Sequence, residues 1–196
     1  RRSGYTRASM IFLGGHQPDW FVTDSVVEGL FVRALGSRIT QHPHCLAELQ
    51  ALGLDLKQKL KPRYSADVYE RAMIVARKHL FASEPDDLRA LWQMGRETTQ
   101  GFYRTVIGSA IGAVVKLLPP ERMLPRLPQN ITGATNYMKA TMTQKEPKHF
   151  ELYVYGSNHA PFVAGAVERG VEQTGCRPKV EIVKAQPLES WVGISW

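Results

Sequence analysis

The sequence predicts an α+β fold, with an N-terminal helical layer packed on a C-terminal four-stranded antiparallel sheet. Three observations in the last third of the chain carry that prediction. Residues 136–144 and 149–155 alternate apolar and polar around the turn Lys145-Glu146-Pro147-Lys148, the period of two half-buried strands. Residues 161–174 then switch to helical spacing. Residues 178–184 and 190–196 return to alternation around Gln186-Pro187-Leu188-Glu189. The order strand-strand-helix-strand-strand is that of a compact sheet with one helix on its face.

Ahead of the sheet the elements follow in order. Residues 1–22 read as an N-terminal arm or extension, and residues 23–196 as a single domain. Within it, residues 23–127 form the helical layer and residues 136–196 the sheet layer. Thr23 or Asp24 caps a helix running to about Leu35, with Val26, Val27, Leu30, Phe31, Ala34 and Leu35 on one face and Gly36 closing it. A short helix spans roughly 43–52 and stops at Gly53; Lys57 to Tyr64 read as a basic loop. Ser65 caps the next helix, through Phe81, which buries Val68, Tyr69, Ala72, Met73, Val75, Ala76 and Leu80. Ser83 is the expected cap of the helical pattern from Asp86 to Leu118, with Pro85 in its first turn. That pattern is too long for one uninterrupted helix, and its glycines predict a break near Gly101 or Gly108. Pro119-Pro120 stops it; Glu121 to Leu127 make a short connecting helix, and Pro128 to Thr135 a polar loop.

Composition bounds the function classes. A chain of 196 residues with 43% hydrophobic content can bury a sizeable core. The net charge of +7 favours an anionic partner, but the 25 basic residues are spread along the chain like solvated faces, so nucleic acid is disfavoured. Cys45 and Cys176 lie far apart and read as free thiols in a reducing compartment. The apolar stretch Met10 to Leu13 is too short for a signal peptide, and Thr105 to Leu118, interrupted by Lys116, is too short to span a bilayer. The expected location is cytoplasmic.

Chemistry-bearing motifs are few. His42-x-His44-Cys45 supplies at most three local ligands where zinc takes about four, so no metal site is expected. His79 sits beside Leu80 on a helix, but a histidine on an apolar stripe is more often satisfied by its neighbours than a haem ligand, so haem is disfavoured. Ser157 and His159 are two residues apart in a turn that by itself explains Gly156, Ser157 and Asn158. No nucleophile elbow or nucleotide-binding glycine loop occurs. Enzymatic function is therefore not expected. Aromatic and Met side chains are the better lead: Trp92 and Phe102 on the long helix, Tyr137, Met142 and Trp191 on the sheet, and Phe162 on the helix between strands. Between a helical layer and a sheet they can line an apolar pocket.

The segment Val27-Glu28-Gly29-Leu30-Phe31-Val32-Arg33-Ala34-Leu35 resembles a myxobacterial domain family of unknown function, present as many paralogues per genome. The resemblance continues through Gly53-Leu54-Asp55-Leu56, Gly101-Phe102-Tyr103-Arg104-Thr105-Val106-Ile107-Gly108, Asn136-Tyr137, Pro161-Phe162-x-x-Gly165 and Trp196. It covers about residues 24–196. That family is distantly similar to a ligand-binding superfamily of haem-based nitric-oxide sensors, vinyl-reductase-like domains and Golgi-transport tethering subunits. The resemblance implies a helical layer over a four-stranded sheet and a sensor or binding role. The haem sensors hold their propionates with a Tyr-x-Ser-x-Arg signature, and Tyr153-Val154-Tyr155 lacks its Ser and Arg.

The sequence thus points to a non-catalytic cytoplasmic ligand-binding or signalling domain without a cofactor. Its pocket is expected between the long helix and the sheet. Trp92, Phe102, Tyr137 and Phe162 would line that pocket, with Arg96 and Arg126 as anion contacts, for a small apolar or anionic ligand. The other reading is a protein-interaction scaffold acting as a homodimer or in a larger complex.

Overall fold

The computed structural model describes residues 25–35, 39 and 42–196. The expected arm over residues 1–22 and the proposed caps Thr23, Asp24 and Gly36 lie outside them. The first helix starts later than its apolar spacing suggested. Val26–Glu28 form strand β1, paired antiparallel with β2 (Arg63–Ser65) so that Val27 faces Tyr64, and α1 covers Gly29–Leu35. Two adjacent β-branched residues prefer the extended backbone once a partner strand is supplied. That partner comes from the segment read as a basic loop.

α2 (Pro43–Ala51) ends with Gly53 at φ 81°, where Gly53 N–H donates to the Gln50 carbonyl and Leu54 N–H to that of Leu49. α3 (Ala66–Leu80) is capped as expected, Ser65 Oγ accepting from Val68 N–H at 3.4 Å. α4 (Asp87–Tyr103) is capped by Asp86 rather than Ser83: Asp86 Oδ1 accepts from Leu88 N–H at 2.9 Å and Arg89 N–H at 3.3 Å. A carboxylate there also answers the positive end of the helix dipole. The long helical pattern breaks at Arg104-Thr105, between the two glycines expected to break it, and α5 (Val106–Val115) restarts on the Thr105 hydroxyl.

α6 (Pro120–Met123) runs through a 3-10 turn at Leu124–Arg126 into α7 (Leu127–Ala134). The polar loop expected over 128–135 is therefore a helix for most of its length. Leu127, Ile131 and Ala134 fall on one face and pack inward, while Gln129, Asn130 and Thr132 face solvent.

The sheet follows the predicted order: β3 (Lys139–Glu146), β4 (His149–Tyr155), α8 (Ala160–Glu172), β5 (Lys179–Gln186) and β6 (Glu189–Ser195). All pairings are antiparallel in the spatial order β3-β4-β6-β5, with Leu152 opposite Met142 and Val192. Both hairpins turn on a proline followed by a left-handed residue, Lys148 at φ 60° and Leu188 at φ 65°. Phe150, Leu152, Val154, Val192 and Ile194 face α8 and are buried. Trp191, counted on sequence among the pocket residues, lies on the opposite face, its ring 4.9 Å from that of Tyr153.

Packing is layered. α1 and α8 both lie against α4, and α8 lies against β5 and β6. Two hydrophobic clusters result. The first joins β1, α1–α3 and the start of α4; the second joins the sheet, α8, Val115 of α5 and the α6 segment.

Candidate functional site

The two clusters meet where α3, the approach to β3 and the start of α8 come together. Tyr69 is buried in the first cluster, and Tyr137 and Phe162 pack against it. Beside Tyr69, Glu70 reaches across to α8, placing Oε2 2.6 Å from Nε2 of His159. His159 stands at the N-terminal edge of α8, and its backbone N–H donates to Ser157 Oγ at 3.2 Å. The Ser157 hydroxyl therefore meets the His159 backbone, while the ring is committed to Glu70.

Burial sets the electrostatics of this seam. Desolvation alone would lower the His159 pKa, but the Glu70 charge and hydrogen bond outweigh it and hold the imidazole above its ordinary value of 6.5. Burial, then Tyr137 and Glu70, push the Tyr69 phenol up; burial, then Glu70, do the same to Tyr137. Both phenols stay protonated across the physiological range. The seam combines two neutral phenols, one imidazole–carboxylate pair and the Phe162 ring. Such a set can grip an acceptor or anionic group at one end of a small molecule and apolar surface at the other.

A second cluster locks α4 to α8. Trp92 Nε1 donates to Glu168 Oε2 at 2.9 Å. Arg96 bonds Glu168, and its two terminal nitrogens reach the two oxygens of Glu172 at 2.9 and 3.0 Å. Arg169 completes the set on Glu172 and Gln100. Beneath these side chains the helix backbones nearly touch. A Cβ on Gly95 would collide with the Phe162 carbonyl, and one on Gly165 with that of Trp92.

The predicted site residues divide accordingly. Trp92, Arg96 and Phe162 meet at the α4–α8 crossing, and Tyr137 and Phe162 each pack against the first cluster. Phe102 stands at the end of α4 with its ring 5.6 Å from Tyr103. Arg126 is exposed on the 3-10 turn. α8 occupies the space between α4 and the sheet where the pocket was expected. Arg96, expected to contact an anion, spends its guanidinium on two carboxylates of the chain itself. Sequence reasoning missed Tyr69, Glu70 and His159 as a group. Tyr69 was read as core and His159 as part of a turn, and no local pattern links Glu70 to a residue 89 positions away.

The chain belongs to DUF2378, a family of unknown function, whose model matches residues 21–196. No curated protein matches it. Among solved structures, it is similar to a protein studied for haem redox potential tuned by porphyrin distortion, at a TM-score of 0.64 and 12% identity, covering 86% of this chain and 99% of that one. An oxygen-binding H-NOX domain related to soluble guanylate cyclases matches at 0.63 and 13%, covering 85% and 91%. An unliganded Fe(II) H-NOX protein from K. algicida matches at 0.57 and 12%, covering 86% and 95%. The fold is that of H-NOX domains, the architecture expected from the sequence.

These neighbours correct the expectation of no cofactor with haem disfavoured, because the fold is one that solved haem proteins use from end to end. The expectation leaned on a missing side-chain signature, and architecture outlasts such signatures at this level of identity. The donors in this conformation are another matter. His159 and His79 both direct Nε2 at a carboxylate, His79 to Glu48 Oε1 at 2.9 Å. Burial, then Glu48, push the Cys45 thiol up to about 11, which keeps it protonated. As seated, these donors do not fit an axially held iron.

Proposed function

We propose that this chain is a non-catalytic ligand-binding sensor domain working in the cytoplasm. The observation that carries the reading is the match over nearly the full length of haem-domain structures. The ligand seat is the seam of Tyr69, Glu70, Tyr137, His159 and Phe162, at the junction of the two cores. A molecule held there touches both the helical layer and the sheet layer, so binding is coupled to their relative packing. The seam chemistry favours a small molecule with an apolar body and an acceptor or anionic end. Free Cys45 and Cys176 support a reducing compartment.

Native mass spectrometry of the protein purified from its own cells, paired with an absorption spectrum and a haem titration, tests the reading. A bound mass that disappears in Tyr137→Ala, with the fold retained, is the expected result. A Soret band in the same sample identifies the ligand as haem. A bare mass together with a silent titration overturns the proposal.

A further inference from the structure

A surface helix normally turns polar residues outward. α5 does not. Gly108, Gly112 and Val115 form its buried side, yet its outward side is also apolar. Val106 is 89% exposed and Leu117, just past the helix, 84% exposed; Ile107 and Val114 are exposed as well. Ala110 and Ala113 fill the positions between them. Four large aliphatic side chains within about three turns make a continuous patch of the kind that marks an interaction surface.

Beside the patch lies a groove of about 370 Å³, lined by Tyr103, Gly112, Lys116, Leu117 and Gln173. Gly112 keeps it open over the Tyr103 ring, because a Cβ there would stand 2.9 Å from Tyr103 Cδ1. Charge defines the ends. Arg104 is exposed just before the apolar run and Lys116 is exposed within its far end, next to Leu117, and no acidic residue occurs between Arg104 and Pro120.

The geometry points to α5 as the docking face for an amphipathic helix of another protein, one with an apolar stripe and acidic residues flanking it. The stripe covers Val106, Ile107, Val114 and Leu117, one side chain enters the groove, and carboxylates meet Arg104 and Lys116. A second copy of this chain would set cations against cations. A bilayer offers no projecting side chain for a concave groove. The face is separate from the ligand seam, and the inference stands without it.

Selection of displayed helical peptides of about four turns on the full chain tests this. The expected winners carry an apolar i, i+3/i+4, i+7 pattern with Asp or Glu on its borders. Leu117→Ser and Lys116→Glu each lower their affinity at least about tenfold, with unchanged circular dichroism because both positions are solvent-facing. Winners without acidic borders, or winners indifferent to both substitutions, overturn the inference. So does a dimer in light scattering that Leu117→Ser dissociates, which gives the face to a second copy. Co-sedimentation with phosphatidylserine vesicles that Leu117→Ser abolishes, without peptide binding, gives it to a membrane and likewise overturns the inference.

Discussion

Thr98 lies on the buried side of α4, and its Oγ1 has no hydrogen-bond partner. A hydroxyl taken out of water and left unmet costs more than it returns. Thr98→Val keeps the shape and removes that atom, and is expected to raise stability by about 1 kcal/mol in urea unfolding. His159 gives a pH-dependent counterpart. Its pKa is raised in the folded state, so the stabilisation from its pairing with Glu70 is fully present below the unfolded histidine value of about 6.5. It is lost as pH rises through the folded value. The stability gap between the native chain and His159→Asn is therefore expected to be widest in mildly acidic buffer and to narrow above neutrality. A gap flat with pH would mean the pair carries no linked proton. Residue-scale capping was partly legible: Ser65 was read correctly, whereas Asp86 displaced Ser83 because the chain turns three residues later than the proline suggested.

At the scale of elements, the α4–α8 crossing is the most constrained contact in the fold. Gly95 and Gly165 face each other's helix backbones, where any side chain forces the axes apart. Gly95→Ala and Gly165→Ala are each expected to cost about 1–3 kcal/mol, the range for overpacked cores, even though alanine is the better helix former. Gly133, on α7 with open space around it, is the control: Gly133→Ala is expected to be neutral or stabilising. Thermal unfolding of the three variants side by side separates the close approach from helix propensity. The sequence placed Gly95 and Gly165 inside helical patterns but not opposite each other. The α7 helix was hidden for a related reason: its polar residues are its outer face, and only the packing of Leu127 and Ile131 reveals the inner one.

At the scale of the molecule, the two hydrophobic clusters share no buried member and meet through the α4–α8 crossing and the seam. Leu49 in the first and Leu152 in the second are both fully buried. Leu49→Ala and Leu152→Ala are each expected to cost about 2–5 kcal/mol. Their effects should add within about 0.5 kcal/mol, as for sites without common neighbours. A larger coupling in calorimetry would show that the cores communicate through the crossing even without ligand. Among the described residues no helix is long and apolar enough to cross a membrane.

What the sequence determined by itself is whatever short-range periodicity encodes. Alternation around Pro147 and Pro187 specified four strands, the switch of period specified α8 between them, and the resulting order specified the sheet architecture. The helices with one apolar face, α3 and α4, were readable on the same ground. Only the tertiary structure decided what lies against what. It put α8 between α4 and the sheet and turned Arg96 toward Glu168 and Glu172. It also brought Glu70 to His159 across 89 residues. The physical reason is that secondary structure depends on neighbours a few residues apart. A buried pair, a backbone crossing or a binding seam depends on which surfaces the whole chain closes together, and no local spacing records that.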